Sequence, residues 1–250
     1  MSAWHVIAIF AAGIAAGTIN TVVGSGTLIT FPTLLAFGYA PVTANVSNTI
    51  GLVPGAASGA VGYRHELGGQ RDRVLAVGAA SLCGGTLGSI LLLVLPASAF
   101  KAIVPFFIAL ALVLIVLQRQ INRALGDRRR GHGEGVPPGA VAGAFCCGVY
   151  GGYFGAAQGI LMLSVLSLSI DDSLQRLNAV KVVTTGLANL VAGVVFVIAA
   201  HVAWDVAGLI ACGSIIGGVL GSRYGRRLSP TGLRALVVVV GIAAIVKLVV

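Results

Sequence analysis

Apolar residues in this chain come in long runs, not in alternation with polar ones. Runs of span length cover roughly 3–23, 43–63, 74–95, 99–118, 139–158, 178–200, 204–221 and 231–250. A bilayer core about 30 Å thick takes about 20 residues of helix, so each run predicts a transmembrane helix. Two shorter apolar segments, about 26–38 and 159–170, fall below that length. A β-barrel would alternate apolar and polar positions. The pattern therefore predicts an all-α polytopic membrane protein.

Composition agrees. The chain is 57% hydrophobic and 9% charged, where soluble domains carry roughly 25% charged residues. Its 36 glycines suit closely packed helices. The net charge of +9 would suit nucleic acid, but the basic residues sit in short loops between spans, which is the positive-inside distribution. No nucleic-acid partner is expected. Cys83, Cys146, Cys147 and Cys212 lie in apolar stretches without ligand spacing and read as small packing residues. Met1–His5 lacks the basic start of a signal peptide.

The two halves of the chain align on each other. A shift of 133 (159 − 26) places Gly26 on Gly159, Asn45 on Asn178 and Asp72 on Asp205, without a gap. Gly84-Gly85-Thr86-Leu87-Gly88-Ser89 falls on Gly217-Gly218-Val219-Leu220-Gly221-Ser222. Matched loops differ in charge. Arg64, Arg71 and Arg73 lie in 64–73, whereas 197–206 has no Lys or Arg. Conversely, 89–101 holds only Lys101, and 222–234 holds Arg223, Arg226, Arg227 and Arg234. Basic loops mark the cytoplasmic side, so matched loops lie on opposite faces. The expectation is two inverted repeats, each a broken or re-entrant hairpin plus three transmembrane helices. Repeat 1 covers 1–118, a basic cytoplasmic linker 119–138, and repeat 2 covers 139–250, with the N-terminus outside.

Each hairpin turns at a glycine-rich break. The first is Asn20-Thr21-Val22-Val23-Gly24-Ser25-Gly26-Thr27; the second runs from Gly151 through Gly155 and Gln158 to Gly159. Irregular backbone at membrane depth needs protein or a wet cavity to satisfy it. In inverted-repeat transporters such breaks aim half-helix N-termini at anionic substrates. The pairs Gly13/Gly17, Gly55/Gly59, Gly84/Gly88 and Gly217/Gly221 are read as packing surfaces.

Through the run Asn20–Pro32, with Asn45-Val46-Ser47-Asn48-Thr49 and Val53-Pro54-Gly55, the chain resembles the sulfite exporter TauE/SafE family. Gly151-Gly152-Tyr153-Phe154-Gly155 and Asn178-Ala179-Val180-Lys181 are similar to that family's second motif. Ser25 and Gln158 depart from it, and both are placed to retune a substrate site. The resemblance implies a bacterial inner-membrane transporter of sulfite, sulfonates, thiosulfate or related small anions.

The residues themselves support anion chemistry. Glu66, Asp72, Asp127, Glu134, Asp171, Asp172 and Asp205 all fall in loops or at span ends, where Asp171 and Asp172 read as solvated. A cation carrier normally keeps an intramembrane carboxylate. Lys181 lies in a span, three residues after Asn178 and therefore on its face; Thr184 and Thr185 extend that face. Snorkelling to the headgroups is the competing reading for Lys181, and the main one for Lys247. In the first half Asn45, Asn48 and Thr49 form the matching polar turn, with Asn48 opposite Lys181. The candidate binding set is Asn20, Thr21, Gly24, Ser25, Gly26, Thr27, Asn45, Asn48, Thr49, Gly155, Gln158, Gly159, Asn178, Lys181, Thr184 and Thr185. No cofactor or metal is expected, since the histidines do not cluster. A coupling ion, H+ or Na+, and an oligomer are both compatible with the sequence. A passive anion channel and a carrier of another small organic anion stay open. An intramembrane serine protease does not, because no histidine lies within a span to serve as base.

Overall fold

The computed structural model describes residues 1–126, 136–225 and 238–239. The expected last span, 231–250, with Lys247, Arg226, Arg227 and Arg234, lies outside the described residues apart from 238–239, as does most of the linker with Asp127 and Glu134. Within the described residues all regular structure is helical. The helices are α1 (Ala3–Val22), α2 (Thr27–Ala36), α3 (Pro41–Gly62), α4 (Arg71–Val94), α5 (Ala97–Gly126), α6 (Pro138–Tyr153), α7 (Gln158–Ser169), α8 (Leu174–Ala199) and α9 (Trp204–Tyr224).

Local chemistry sets the starts. Ser2 caps α1, accepting from His5 N–H at 3.4 Å. Proline occupies the first turn of α3 and α6, where a missing N–H costs nothing. Ser173 caps α8 through Arg176 N–H. The 133-residue shift carries the first residue of α3 (41) onto that of α8 (174), and of α4 (71) onto that of α9 (204).

Five described helices, α1, α4, α5, α8 and α9, are long and apolar enough to cross a membrane. α2 and α7 have 10 and 12 residues, which at 1.5 Å per residue is about half a bilayer core. The His5 ring meets Phe37 edge-on at 4.4 Å, so α2 ends beside the start of α1. The first short segment is therefore the return arm of a hairpin, and most of its residues are buried. α7 returns along α6 in the same way: a Cβ on Gly143 would meet Val165, and Ala140 shares a core with Leu166 and Ile170.

Packing crosses between the sequence halves. α1 and α3 lie against α9, while α6 and α8 lie against α4. The glycines at four-residue spacing make these contacts. A Cβ on Gly17 would stand 2.4 Å from Ser214 O, and one on Gly217 would stand 2.2 Å from Ile14 O. On the other side, Gly84 and Gly88 would meet Phe145 O at 2.1 Å and Val149 O at 2.0 Å. Small residues let helix backbones touch where lipid supplies no hydrophobic drive. Here they seat α4 and α9 each on the opposite half.

Candidate functional site

The two breaks meet. α1 ends where Gly24 takes φ +92° and the Val23 and Gly24 N–H groups both turn back to Ile19 O, at 2.7 and 2.9 Å. α6 ends the same way, with Phe154 and Gly155 N–H on Tyr150 O at 2.9 and 3.1 Å. Between α6 and α7, Gly155 and Ala157 adopt φ +77° and +59°. Ala157 sits in a left-handed conformation that costs an L-residue about 1 kcal/mol. At the crossing Gly159 N–H donates to Gly24 O at 3.0 Å. A Cβ on Gly24 would lie 2.4 Å from Gly159 Cα, and a Cβ on Gly159 would lie 2.5 Å from Gly24 Cα. Backbone lies directly on backbone there. The N–H of Gly159, expected to face a substrate, is thus held by the other break.

Lys181 reaches this point from α8. It is 0% exposed, so it does not snorkel. Its Nζ donates to Asn20 O at 3.1 Å and Thr21 O at 3.2 Å, and its stem runs over Gly159, with Cδ 3.0 Å from where a Cβ would be. The last carbonyls of a helix lack intrahelical partners and carry partial negative charge. The ammonium caps that end of α1. Asn178 Nδ2 joins it on Thr21 O at 3.3 Å. In the other half, Asn45 Nδ2 donates to Tyr153 O at 3.0 Å, at the end of α6. Each asparagine therefore holds the broken helix of the opposite half. An ammonium has three donors, and two are spent on backbone. Among the described acids, Glu66, Asp72, Asp171, Asp172 and Asp205 all lie in connections or first helical turns, away from this lysine.

The other predicted residues divide. Asn48 exchanges hydrogen bonds with Thr30 and, at 3.2 Å, with Thr27. The hydroxyls of Thr21, Thr49, Thr184 and Thr185 return to carbonyls of their own helices, the usual recourse of threonine in a helix. Gly26 lies over Ala16 O, 2.5 Å from its would-be Cβ. Four site atoms are buried without a partner: Ser25 Oγ, Gln158 Nε2, Asn45 Oδ1 and Asn178 Oδ1. They form two repeat-related pairs, 25 + 133 = 158 and 45 + 133 = 178, on residues flanking the crossing.

Sequence reading missed the aromatic wall. Phe31, Phe100, Phe107, Tyr153 and Phe154 contact one another, mostly edge-on, with centroids 5.1–6.5 Å apart, beside the second break. Tyr150 OH donates to Ala156 O and braces that break. Aromatic residues spread over three helices carry no local signal that they converge.

Asp172 is a correction: it is not simply solvated. Arg73 Nη1 stands 2.5 Å and Arg176 Nε 3.0 Å from its Oδ2, and Arg176 also donates to Gly68 O at 3.1 Å. Partial burial pushes the carboxyl up, but the bonds from Arg176, Ser173 N–H and Arg73 outweigh it and hold the group below its ordinary value. The sequence placed Asp172 in a loop without its partners, because Arg73 is contributed by α4.

Comparison with known proteins decides the family. The model of the sulfite exporter TauE/SafE family matches residues 9–248. The chain belongs to this family. Among curated relatives, the probable membrane transporter protein ORF9 of a Sinorhizobium species is 28% identical over 249 residues, covering 98% of this chain and 93% of the relative. The probable membrane transporter protein YfcA of Escherichia coli K12 is 24% identical over 241 residues, covering 96% and 88%. A probable membrane transporter protein of Haemophilus influenzae is 27% identical over 242 residues, covering 96% and 93%. No solved structure matches. This TauE/SafE protein is a multi-pass membrane transporter, not an enzyme.

Proposed function

We propose that the protein is a secondary transporter of small sulfur-containing anions of the sulfite, sulfonate or thiosulfate type, bound where the two breaks cross. The observation that carries this is Lys181: fully buried, its Nζ set on backbone carbonyls, with no carboxylate beside it among the described residues. A charge left so deep is costly, and a bound anion lowers that cost while a cation raises it. Ser25 Oγ and Gln158 Nε2, both buried and unpartnered, supply neutral donors suited to oxyanion oxygens. Saturable counterflow of labelled sulfite in proteoliposomes tests the reading. Internal unlabelled sulfite, thiosulfate or methanesulfonate should accelerate entry. Entry that neither saturates nor responds to internal anion would make the protein a channel.

Alternating access follows from two inverted repeats, one half rocking about the crossing against the other. Matching helix starts, opposite loop charges and the reciprocal seating of α4 and α9 support that arrangement. It places 64–73 in the cytoplasm and the N-terminus outside a bacterial inner membrane. In intact cells lacking the native cysteines, Gly68→Cys should resist impermeant thiol reagents and Ala200→Cys should react. Equal labelling of the two would overturn the inverted topology.

A further inference from the structure

We propose that a small monovalent cation, sodium by its preference for neutral oxygen ligands, binds at the C-terminal end of α6, where Asn45 Oδ1 and the last-turn carbonyls supply its oxygens. This rests on the crossing being the transport centre. The two halves differ at their helix ends. At the end of α1, Lys181 brings a positive charge onto Asn20 O and Thr21 O, next to the amide of Asn178. At the end of α6, Asn45 takes the part of Asn178 and donates to Tyr153 O. The residue matching Lys181 is Asn48 (181 − 133 = 48), and its side chain is committed to Thr27 and Thr30.

Both helix ends carry the same partial negative charge, and neither α1 nor α6 has a basic residue in its own last turn. α1 receives a tethered cation from α8. Both ends also hold a buried amide oxygen without a donor, Asn178 Oδ1 at α1 and Asn45 Oδ1, on a residue 0% exposed, at α6; only the α6 end has no side-chain cation beside it. A buried acceptor next to a negative helix end, on the amide whose Nδ2 holds Tyr153 O, repels an anion and suits a cation. Carbonyl and amide oxygens are hard ligands with no formal charge, which favours a singly charged ion over a divalent one. None of these oxygens is basic enough to hold a proton at neutral pH. The amide of Gln158 lies over Gly151 in the same turn, its Nε2 2.1 Å from where a Cβ would be, so cation and anion would share neighbours. Their binding is then coupled through adjacent charge.

Melting of the purified protein in sodium chloride against choline chloride at equal ionic strength tests this without any substrate. Sodium should raise the Tm by at least about 2 °C. Asn45→Ala should lose the shift and Asn45→Asp should keep it. Asn48→Lys supplies an ammonium from the position that matches Lys181, so its Tm should no longer respond to sodium. An unresponsive native protein, a shift that survives Asn45→Ala, or a full shift in Asn48→Lys would each overturn the proposal. The last holds even if Asn45→Ala does not fold. Stabilisation by sulfite, read in both salts and lost in Lys181→Gln, tests the anion reading separately. Loss of one shift with survival of the other identifies which has failed.

Discussion

Lys181→Gln is expected to cut sulfite uptake into proteoliposomes at least about tenfold, equivalent to about 1.4 kcal/mol, in a protein that still reaches the membrane folded. Glutamine is one bond shorter but keeps N–H donors pointing toward the carbonyls of Asn20 and Thr21, now held by Nζ at 3.1 and 3.2 Å. What it removes is the charge. Lys181→Met removes both: beside a residue 0% exposed it leaves Asn20 O without that donor and Thr21 O with only the Asn178 amide, and a buried orphan costs about 1–3 kcal/mol. The methionine variant should therefore lose stability as well as transport. Lys181→Arg keeps the charge but must fit a planar fork over Gly159, where Cδ has 3.0 Å to a would-be Cβ; intermediate uptake is expected. Normal sulfite uptake by a well-folded glutamine variant would reduce Lys181 to a helix cap.

Gly159→Ala and Gly24→Ala should each abolish transport and reduce folded yield. A new Cβ would lie 2.5 or 2.4 Å from the facing Cα, and backbone cannot swing aside as a side-chain tip can. Overpacking of this kind costs about 1–3 kcal/mol. Gly24 also sits at φ +92°, where a Cβ adds about 1 kcal/mol. The hydrogen bond from Gly159 N–H to Gly24 O lengthens in either variant, so the junction on which the halves meet opens. Gly208 has nothing within 4 Å of its would-be Cβ, and Gly208→Ala should be silent in transport and yield, or slightly stabilising through helix propensity. Wild-type flux in Gly159→Ala would show that the breaks need not touch.

Most of the helical plan was readable along the chain. Apolar runs located the five described helices long and apolar enough to cross a bilayer; the runs 43–63 and 139–158 are helical as α3 and α6 but are not among those five. Gly24, Gly155 and their neighbours marked the hairpin turns, because only glycine takes positive φ at little cost. The break residues, the paired asparagines and Lys181 were all named from sequence and all lie around the crossing. Their contacts were not readable. Lys181 was expected to present its charge to a substrate or to snorkel to the headgroups; it is fully buried and caps α1, with one donor to spare. Thr184 and Thr185 share its face yet spend their hydroxyls on their own helix. Asp172 looked solvated until α4 brought Arg73 to it.

The sequence by itself located the described helices to within a few residues, the two glycine-rich breaks, and the polar groups set in apolar stretches. These depend on hydropathy and on backbone freedom, which are local properties. The tertiary structure decided which helix lies on which: α9 on α1 and α3, α4 on α6 and α8, and one break on the other at Gly24 and Gly159. Helices in lipid gain little from burying one apolar face instead of another and associate through close backbone contact. Nearly every helix here offers small residues for such contact, so partner choice rests on shape fit between surfaces distant in sequence.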